Sequence, residues 1–335
     1  MTLDSVALDS LTIVMYHYVR ELPLTRYSAI KGLRTSQFRH QLNYLRRFYT
    51  FVTRAQCLEA LHGGRPLPAN AVVLTFDDAY TDHYTDVFPL LYEYGIEAWF
   101  FPPVRAVRFG EVLSVNKIHF VLASTAQPAT LVPEVRRMVD NLRAEFSLRP
   151  SEEYYQELAV ANRYDGADVI FLKRLLQHAL PENARDQIVN RLFARYVTDN
   201  EQAFAHELYM TEDQLRCMVR AGMYVGSHGY GHYWLNTLSP EQQEREVGLS
   251  LEFLAELGAP TKDWVMCYPY GGYNESLLAI LRRHDCGLGL TTHVGIASLN
   301  HAGALTLARL DTNDLPREAD VTEPVEWTQR VKAAA

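Results

Sequence analysis

The chain reads as an α/β protein in which parallel strands are joined by helices and interrupted by a long helical insertion. Three observations predict this. Short apolar, β-branched runs alternate with helix-period segments over residues 1–113. Residues 114–208 then carry repeated helical patterns and no convincing strand. The strand–helix rhythm resumes over 209–335, and such alternation implies parallel strands with crossover helices.

Leu11-Thr12-Ile13-Val14-Met15-Tyr16-His17 is the expected first strand, ending in a histidine. A turn-rich loop runs to Gly32, after which Thr35 or Ser36 is placed to cap a helix with apolar Phe38, Leu42 and Leu45. Phe51-Val52, a short helix over 54–61 and an extended link through Pro66 and Pro68 lead to the central strand, Val72 to Phe76. Tyr84 to Tyr94 reads as a helix closed by Gly95, and Glu97 to Phe101 as a further strand. Within the insertion, helices are expected at Pro133–Phe146, Val169–Leu180 and Ala184–Tyr196, with Pro133 in a first turn where its missing N–H costs nothing. Tyr154, Tyr155, Tyr164, Tyr196 and Tyr209 have two readings, packing within the insertion or a lid whose rings stack on sugars. Thr211-x-x-Gln214 and Ser239-x-x-Gln242 are capping boxes opening two later helices. A strand to Cys267, a helix from Glu275 to Arg283, and strands at Gly287–Thr292 and Leu305–Leu307 complete the pattern.

Composition narrows the function. A net charge of −8 offers no basic patch, so no nucleic-acid partner is expected. No apolar run reaches the length of a membrane span. The first nineteen residues lack Lys and Arg and include Asp4 and Asp9, so no secretory segment is expected. Cys57, Cys217, Cys267 and Cys286 lack metal-like spacing and suit reduced thiols in a cytoplasm.

Three stretches carry chemistry. Thr75-Phe76-Asp77-Asp78 places two carboxylates at a strand's C-terminal end, where α/β folds hold their sites. One carboxylate can ligate a metal while its neighbour faces substrate or water; taken alone, the pair reads equally well as a turn. Ser227-His228-Gly229-Tyr230-Gly231-His232 sets two imidazoles four residues apart in a glycine-rich segment; taken alone, the pair reads more readily as exposed or core-satisfied histidines. Two His and one Asp leave coordination positions open, as at catalytic metals. Cys267-Tyr268-Pro269-Tyr270-Gly271-Gly272 is another strand end turning into a rigid aromatic loop.

In this order the three stretches resemble the first three motifs of the polysaccharide deacetylase superfamily (NodB homology, carbohydrate esterase family 4), over roughly residues 11–311. The resemblance implies an incomplete or distorted (β/α) barrel carrying the insertion. It implies Asp77 as catalytic base, and Asp78, His228 and His232 as ligands of a divalent metal, with Zn²⁺ the default and other first-row ions compatible. Tyr268, Pro269, Tyr270, Gly271 and Arg309 are expected at the substrate, with a Tyr270-Gly271 amide on the oxyanion. Three departures stand out. Ala79 replaces the usual Gly, the third-motif Arg gives way to Cys267-Tyr268, and the late Leu-x-His that supplies the acid has no match, His293 being misplaced. A barrel sets the first strand beside the last, and Tyr16-His17 resembles the first strand of circularly permuted family members, which implies His17 as the acid; the other reading is a strand-end histidine satisfied by a backbone carbonyl.

The implied reaction removes a small N-acyl group, chiefly acetyl, from an amino sugar. A cytoplasmic location points to nucleotide- or lipid-linked sugars of surface-polysaccharide or lipopolysaccharide assembly, with peripheral membrane contact for a lipid carrier. The alternatives are an amide hydrolase or deformylase on another substrate, and a non-catalytic carbohydrate-binding relative, which the missing Arg and His favour.

Overall fold

The computed structural model describes residues 10–161, 165–319 and 321–329. These fall into two compact units, one of residues 1–21, 32–110 and 206–335 and the other of 22–31 and 111–205. Residues 22–31, read from sequence as a loop ahead of the first helix, thus cluster with the second unit.

The first unit is built on strands β1 (Ser10–Tyr16), β2 (Thr50–Phe51), β3 (Ala71–Asp77), β4 (Trp99–Phe101), β5 (Tyr224–Val225), β6 (Trp264–Cys267), β7 (Cys286–Val294), β8 (Ala297–Ser298) and β9 (Leu307–Asp311). The main order is β5-β4-β3-β1-β9-β7-β6, with β2 beside β3 and β8 beside β1. Apart from the antiparallel β1–β8 pair, these pairings are parallel. The two edges meet through Ser227, just past β5, which bridges Met266 in β6. The sheet therefore curls into an incomplete barrel. The expected strand at Leu305–Leu307 starts later, at Leu307, and the chain ahead of it forms a turn.

Helices α1 (Thr35–Phe48), α2 (Arg54–Leu61), α3 (Phe88–Glu93) and α4 (Val104–Phe109) precede the insertion, whose helices are α5 (Ser114–Ala123), α6 (Val132–Phe146), α7 (Ser151–Leu158), α8 (Ala167–Arg174), α9 (Glu182–Tyr196) and α10 (Glu201–Leu208). Helices α11 (Glu212–Arg220), α12 (Pro240–Leu257) and α13 (Glu275–Arg283) follow. Thr211 and Ser239 form the expected capping boxes. Neither Thr35 nor Ser36 caps α1, because both already lie in its first turn. The expected helix over Tyr84–Tyr94 is one turn of π-helix, His83–Val87, running into α3.

Alternation along the strands sorts the core into two layers. Val14 and Tyr16 of β1 and Val72, Leu74 and Phe76 of β3 pack outward with Phe38, Leu42 and Leu45 of α1. Leu11, Ile13, Ala71 and Val73 point the other way, into the barrel, with Val265, Cys267 and Leu307. That inner parity, continued to the strand ends, selects the residues at the barrel mouth.

The tyrosines of the second unit are spent locally. Tyr154 is buried, the Tyr155 hydroxyl donates to Asp168, and that of Tyr196 to Glu134. Tyr164 lies outside the described residues. Tyr209 belongs to the first unit, where it packs against Tyr80. Among the described residues no helix is long and apolar enough to cross a membrane.

Candidate metal centre and catalytic site

Asp77 has the inner parity of Val73 and Thr75, so its carboxylate enters the barrel, where it is 1% exposed. Arg309 shares the inner parity of Leu307 in β9 and is equally buried. Its guanidinium forks onto the carboxylate, Nη1 at 3.0 Å from Oδ1 and Nη2 at 2.9 Å from Oδ2, while Nε donates to the Thr291 carbonyl at 2.8 Å. The Cys267 thiol donates to the same Oδ1 at 3.3 Å. Burial alone would raise the Asp77 pKa; the Arg309 charge, with His228 and His17, outweighs it and holds the group at about 2.

Arg309 was expected at the substrate. The structure corrects that: the side chain is sealed in the barrel and its partners are Asp77, Thr75 and Thr291. It supplies from β9 the guanidinium that the third motif lacks.

Strand alternation would turn Asp78 away from the mouth. A left-handed backbone at Asp78 (φ 71°) and Ala79 (φ 57°) reverses this. The Ala79 conformation costs about 1 kcal/mol relative to glycine, which explains why glycine is favoured at this turn. Asp78 Oδ2 accepts from the Tyr80 hydroxyl at 2.7 Å. Its Oδ1 is buried without a hydrogen-bond donor and faces Nε2 of His228 at 3.5 Å and of His232 at 3.3 Å.

The His-bearing loop is held from several sides. His228 Nδ1 donates to the Cys267 carbonyl at 2.7 Å, which leaves the Nε2 lone pair facing Asp78. Both Val104 and Arg105, at the start of α4, donate main-chain N–H groups to the Gly229 and Tyr230 carbonyls. Glu246 of α12, 7% exposed, accepts from the Tyr230 and Gly231 amides at 3.0 and 2.9 Å through one carboxylate oxygen. His232 has φ 58° and its ring packs edge-on to Tyr270.

These residues fit a divalent cation. Two donors each about 2.05 Å from a tetrahedral Zn²⁺ stand roughly 3.3 Å apart, close to the 3.3 and 3.5 Å separations from Asp78 Oδ1. All three donor atoms lie within 4.8 Å of one another. Burial would leave the bare Asp78 Oδ1 costly without a positive partner. Burial pushes His232 down, toward its neutral, ligating form. At His228 burial is outweighed by Cys267, Asp78 and Asp77, which hold that imidazole well above its ordinary value until a cation takes the proton's place.

His17 follows β1 with the inner parity of Leu11 and Ile13. Strand β1 lies between β3 and β9, as the barrel argument requires. Its Nε2 is 3.9 Å from Asp77 Oδ2 and its side chain is 42% exposed. His293 is exposed near the end of β7, its amide bonded to Thr291.

The third-motif residues divide. Tyr268 is fully buried with its hydroxyl on the Leu305 carbonyl, so the expected substrate contact by its side chain is replaced by a packing role. Pro269 is likewise buried. The Gly271 amide is engaged by the Tyr268 carbonyl and drops out as an oxyanion donor, and a Cβ there would lie 2.3 Å from Thr292 Oγ1. Tyr270 stays half-buried, with Trp234 stacked on it at 4.7 Å. Glu246 and the Asp77 contact of Arg309 went unread in the sequence, since neither belongs to a motif of fixed spacing.

A family model described as Polysaccharide deacetylase matches residues 64–141 and 189–288, so His17 and Arg309 lie outside it. Poly-beta-1,6-N-acetyl-D-glucosamine N-deacetylase of Escherichia coli (strain K12) is 43% identical over 98 residues, 27% of this chain and only 14% of that relative. Streptococcus pyogenes deacetylase PplD, solved in complex with acetate, superposes with TM-score 0.55 at 20% identity, covering 94% of this chain and 99% of that one. IcaB from Ammonifex degensii gives TM-score 0.54 at 20% identity, with 97% of both chains covered. At these identities the structural likeness is one of fold.

Proposed function

Because the chain belongs to the polysaccharide deacetylase family, we propose that it is a metal-dependent hydrolase that removes the N-acetyl group of an amino sugar. The observation that carries this reading is a buried, donor-less Asp78 Oδ1 facing two imidazoles, beside an Asp77 carboxylate forked by Arg309.

Asp78, His228 and His232 would hold the ion, which when bound polarises an acyl oxygen and acidifies water. Asp77 takes the proton of the attacking water at Oδ2, the oxygen nearer His17. Arg309 keeps that carboxylate ionised and aimed, at the cost of basicity. As the C–N bond breaks, the electron pair stays on nitrogen, and His17 in its imidazolium form gives that nitrogen a proton. The products are a free amine and acetate. Tyr270 and Trp234 offer a stacked aromatic surface suited to a sugar face. Residues 114–208 serve as a self-packed scaffold, since Tyr154, Tyr155 and Tyr196 are used internally.

The name of the Escherichia coli relative makes β-1,6-linked N-acetylglucosamine the first substrate to test. Cytoplasmic nucleotide- or lipid-linked N-acetyl sugars of lipopolysaccharide assembly form the second class. Acetate release from Zn²⁺-loaded protein is to be measured on N-acetylglucosamine oligomers, a nucleotide-linked N-acetyl sugar, a lipid-linked one and a formylated peptide. Release from any of the sugars supports the reading and ranks the carriers. Formate release alone would replace it with a deformylase, and sugar binding without any release would make the chain a binding relative.

A further inference from the structure

His83 is a fully buried imidazole that none of these steps uses. Its ring is enclosed by Phe76, Tyr80 and Phe100, with centroids 5.2, 5.5 and 6.1 Å away. Nε2 lies 2.7 Å from the main-chain carbonyl of His17, while Nδ1 makes no hydrogen bond. A carbonyl only accepts, so Nε2 carries the proton and Nδ1 the lone pair. Burial pushes the group down to about 4, which keeps the ring neutral near physiological pH. A buried imidazole with an idle nitrogen is a poor filler, since an unpaired polar atom there costs about 1–3 kcal/mol. Phe or Leu would pack without that cost.

The contact sits where the strand pairing ends. The β1–β3 register stops at Tyr16↔Phe76, one residue before His17 and Asp77. There the His83 N–H, from the turn that follows the paired aspartates, grips the His17 peptide from outside the sheet. The His17 ring is 42% exposed, so its main chain is the handle by which the protein can fix its place over Asp77.

We propose that His83 is a positioning residue for His17, holding its main chain so that the imidazole stays in reach of Asp77 and the leaving nitrogen. This rests on the reading of His17 as proton donor. It makes His83 act through His17 and on leaving-group protonation only.

The test uses the full, Zn²⁺-loaded chain and two substrates, an N-acetyl amino sugar and 4-nitrophenyl acetate, whose leaving group needs no proton. His83→Phe keeps a ring and removes the N–H; His83→Gln places an amide N–H at nearly the Nε2 position. The proposal expects His83→Phe to lose ~10-fold or more on the amide, at most the ~10²–10⁴-fold that the acid–base group itself contributes, and little on the ester. It expects His83→Gln to recover most of the amide rate, and His83→Phe to cost nothing further in a His17→Ala background. Equal losses on both substrates, or the same loss with and without His17, overturn it. Should His83→Phe fail to fold, His83→Gln is compared with His83→Asn, whose amide is too short; equal amide rates overturn the proposal. A selective amide loss in His17→Ala with none in His83→Phe overturns this proposal alone. An intact amide rate in His17→Ala refutes the donor reading and this proposal with it.

Discussion

Arg309→Met removes a guanidinium from a space that is 1% exposed and leaves Asp77 buried without its strongest partner. Breaking a buried pair by losing one member costs about 3–5 kcal/mol. A second route gives a similar size. Holding Asp77 at about 2 instead of 3.8 corresponds to roughly 2–3 kcal/mol at about 1.4 kcal/mol per pH unit. In the native chain the folded pKa is depressed, so this stabilisation is present above the unfolded value of ~3.9 and fades as pH falls toward about 2. In the variant the largest counterweight to burial is gone, so the folded pKa moves back up and the stabilisation present above pH ~4 is reduced or lost. The stability gap between the two proteins should therefore be widest at neutral pH and shrink toward about pH 3. Urea unfolding of chelator-treated protein at several pH values measures it. A gap that does not depend on pH, or one below about 1 kcal/mol at neutral pH, the scale of ordinary substitutions, would show that Arg309 does not hold Asp77 ionised.

Two more substitutions separate roles that lie within a few ångströms of each other. Asp77→Asn should keep its metal, at a cost in stability from leaving Arg309 without its charged partner, and lose at least ~10²-fold in amide hydrolysis; loss of metal instead would mean that the two aspartates exchange roles. Glu246→Ala unties the Tyr230 and Gly231 amides from α12 and should lower Zn²⁺ affinity by about 10–100-fold in chelator competition, the usual cost of removing a partner that orients ligands. Unchanged affinity would show that the α4 contacts hold the loop alone.

Much of the barrel was legible because its strands obey a strict two-residue period. The apolar run Val72–Phe76 already divides into an outer set with Phe76 and an inner set with Val73 and Thr75. Continued one step, the inner set contains Asp77. The same rule applied to β1 and β9 reaches His17 and Arg309, provided that the strands are known to be neighbours. That neighbourhood is what local sequence does not carry. Arg309 was noticed, but only the β3-β1-β9 order puts its guanidinium on Asp77 rather than on a substrate.

Other misses have local causes. Asp78 faces the His pair only because two successive residues take left-handed φ, which a sequence with Ala79 in place of glycine does not advertise. Tyr268 was grouped with the substrate residues by its motif, but the outer layer between β6 and helices α12 and α13 takes the whole ring, and the Leu305 carbonyl takes its hydroxyl. Glu246 sits mid-helix among surface-like glutamates (Glu241, Glu244, Glu252), and only the packing of α12 distinguishes it.

The claim on which the rest depends is that Asp78, His228 and His232 hold a divalent ion that the hydrolysis requires. It is tested most directly by elemental analysis together with acetate release, on the native chain and on His232→Ala. The native chain should hold about one ion, as a three-residue site implies, and its acetate release should stop on chelation and return with Zn²⁺. Affinity should be lowered ~10-fold or more in His232→Ala, since even losses beyond the ligands reach that size. Full occupancy in His232→Ala, or acetate release undiminished after chelation, would contradict it.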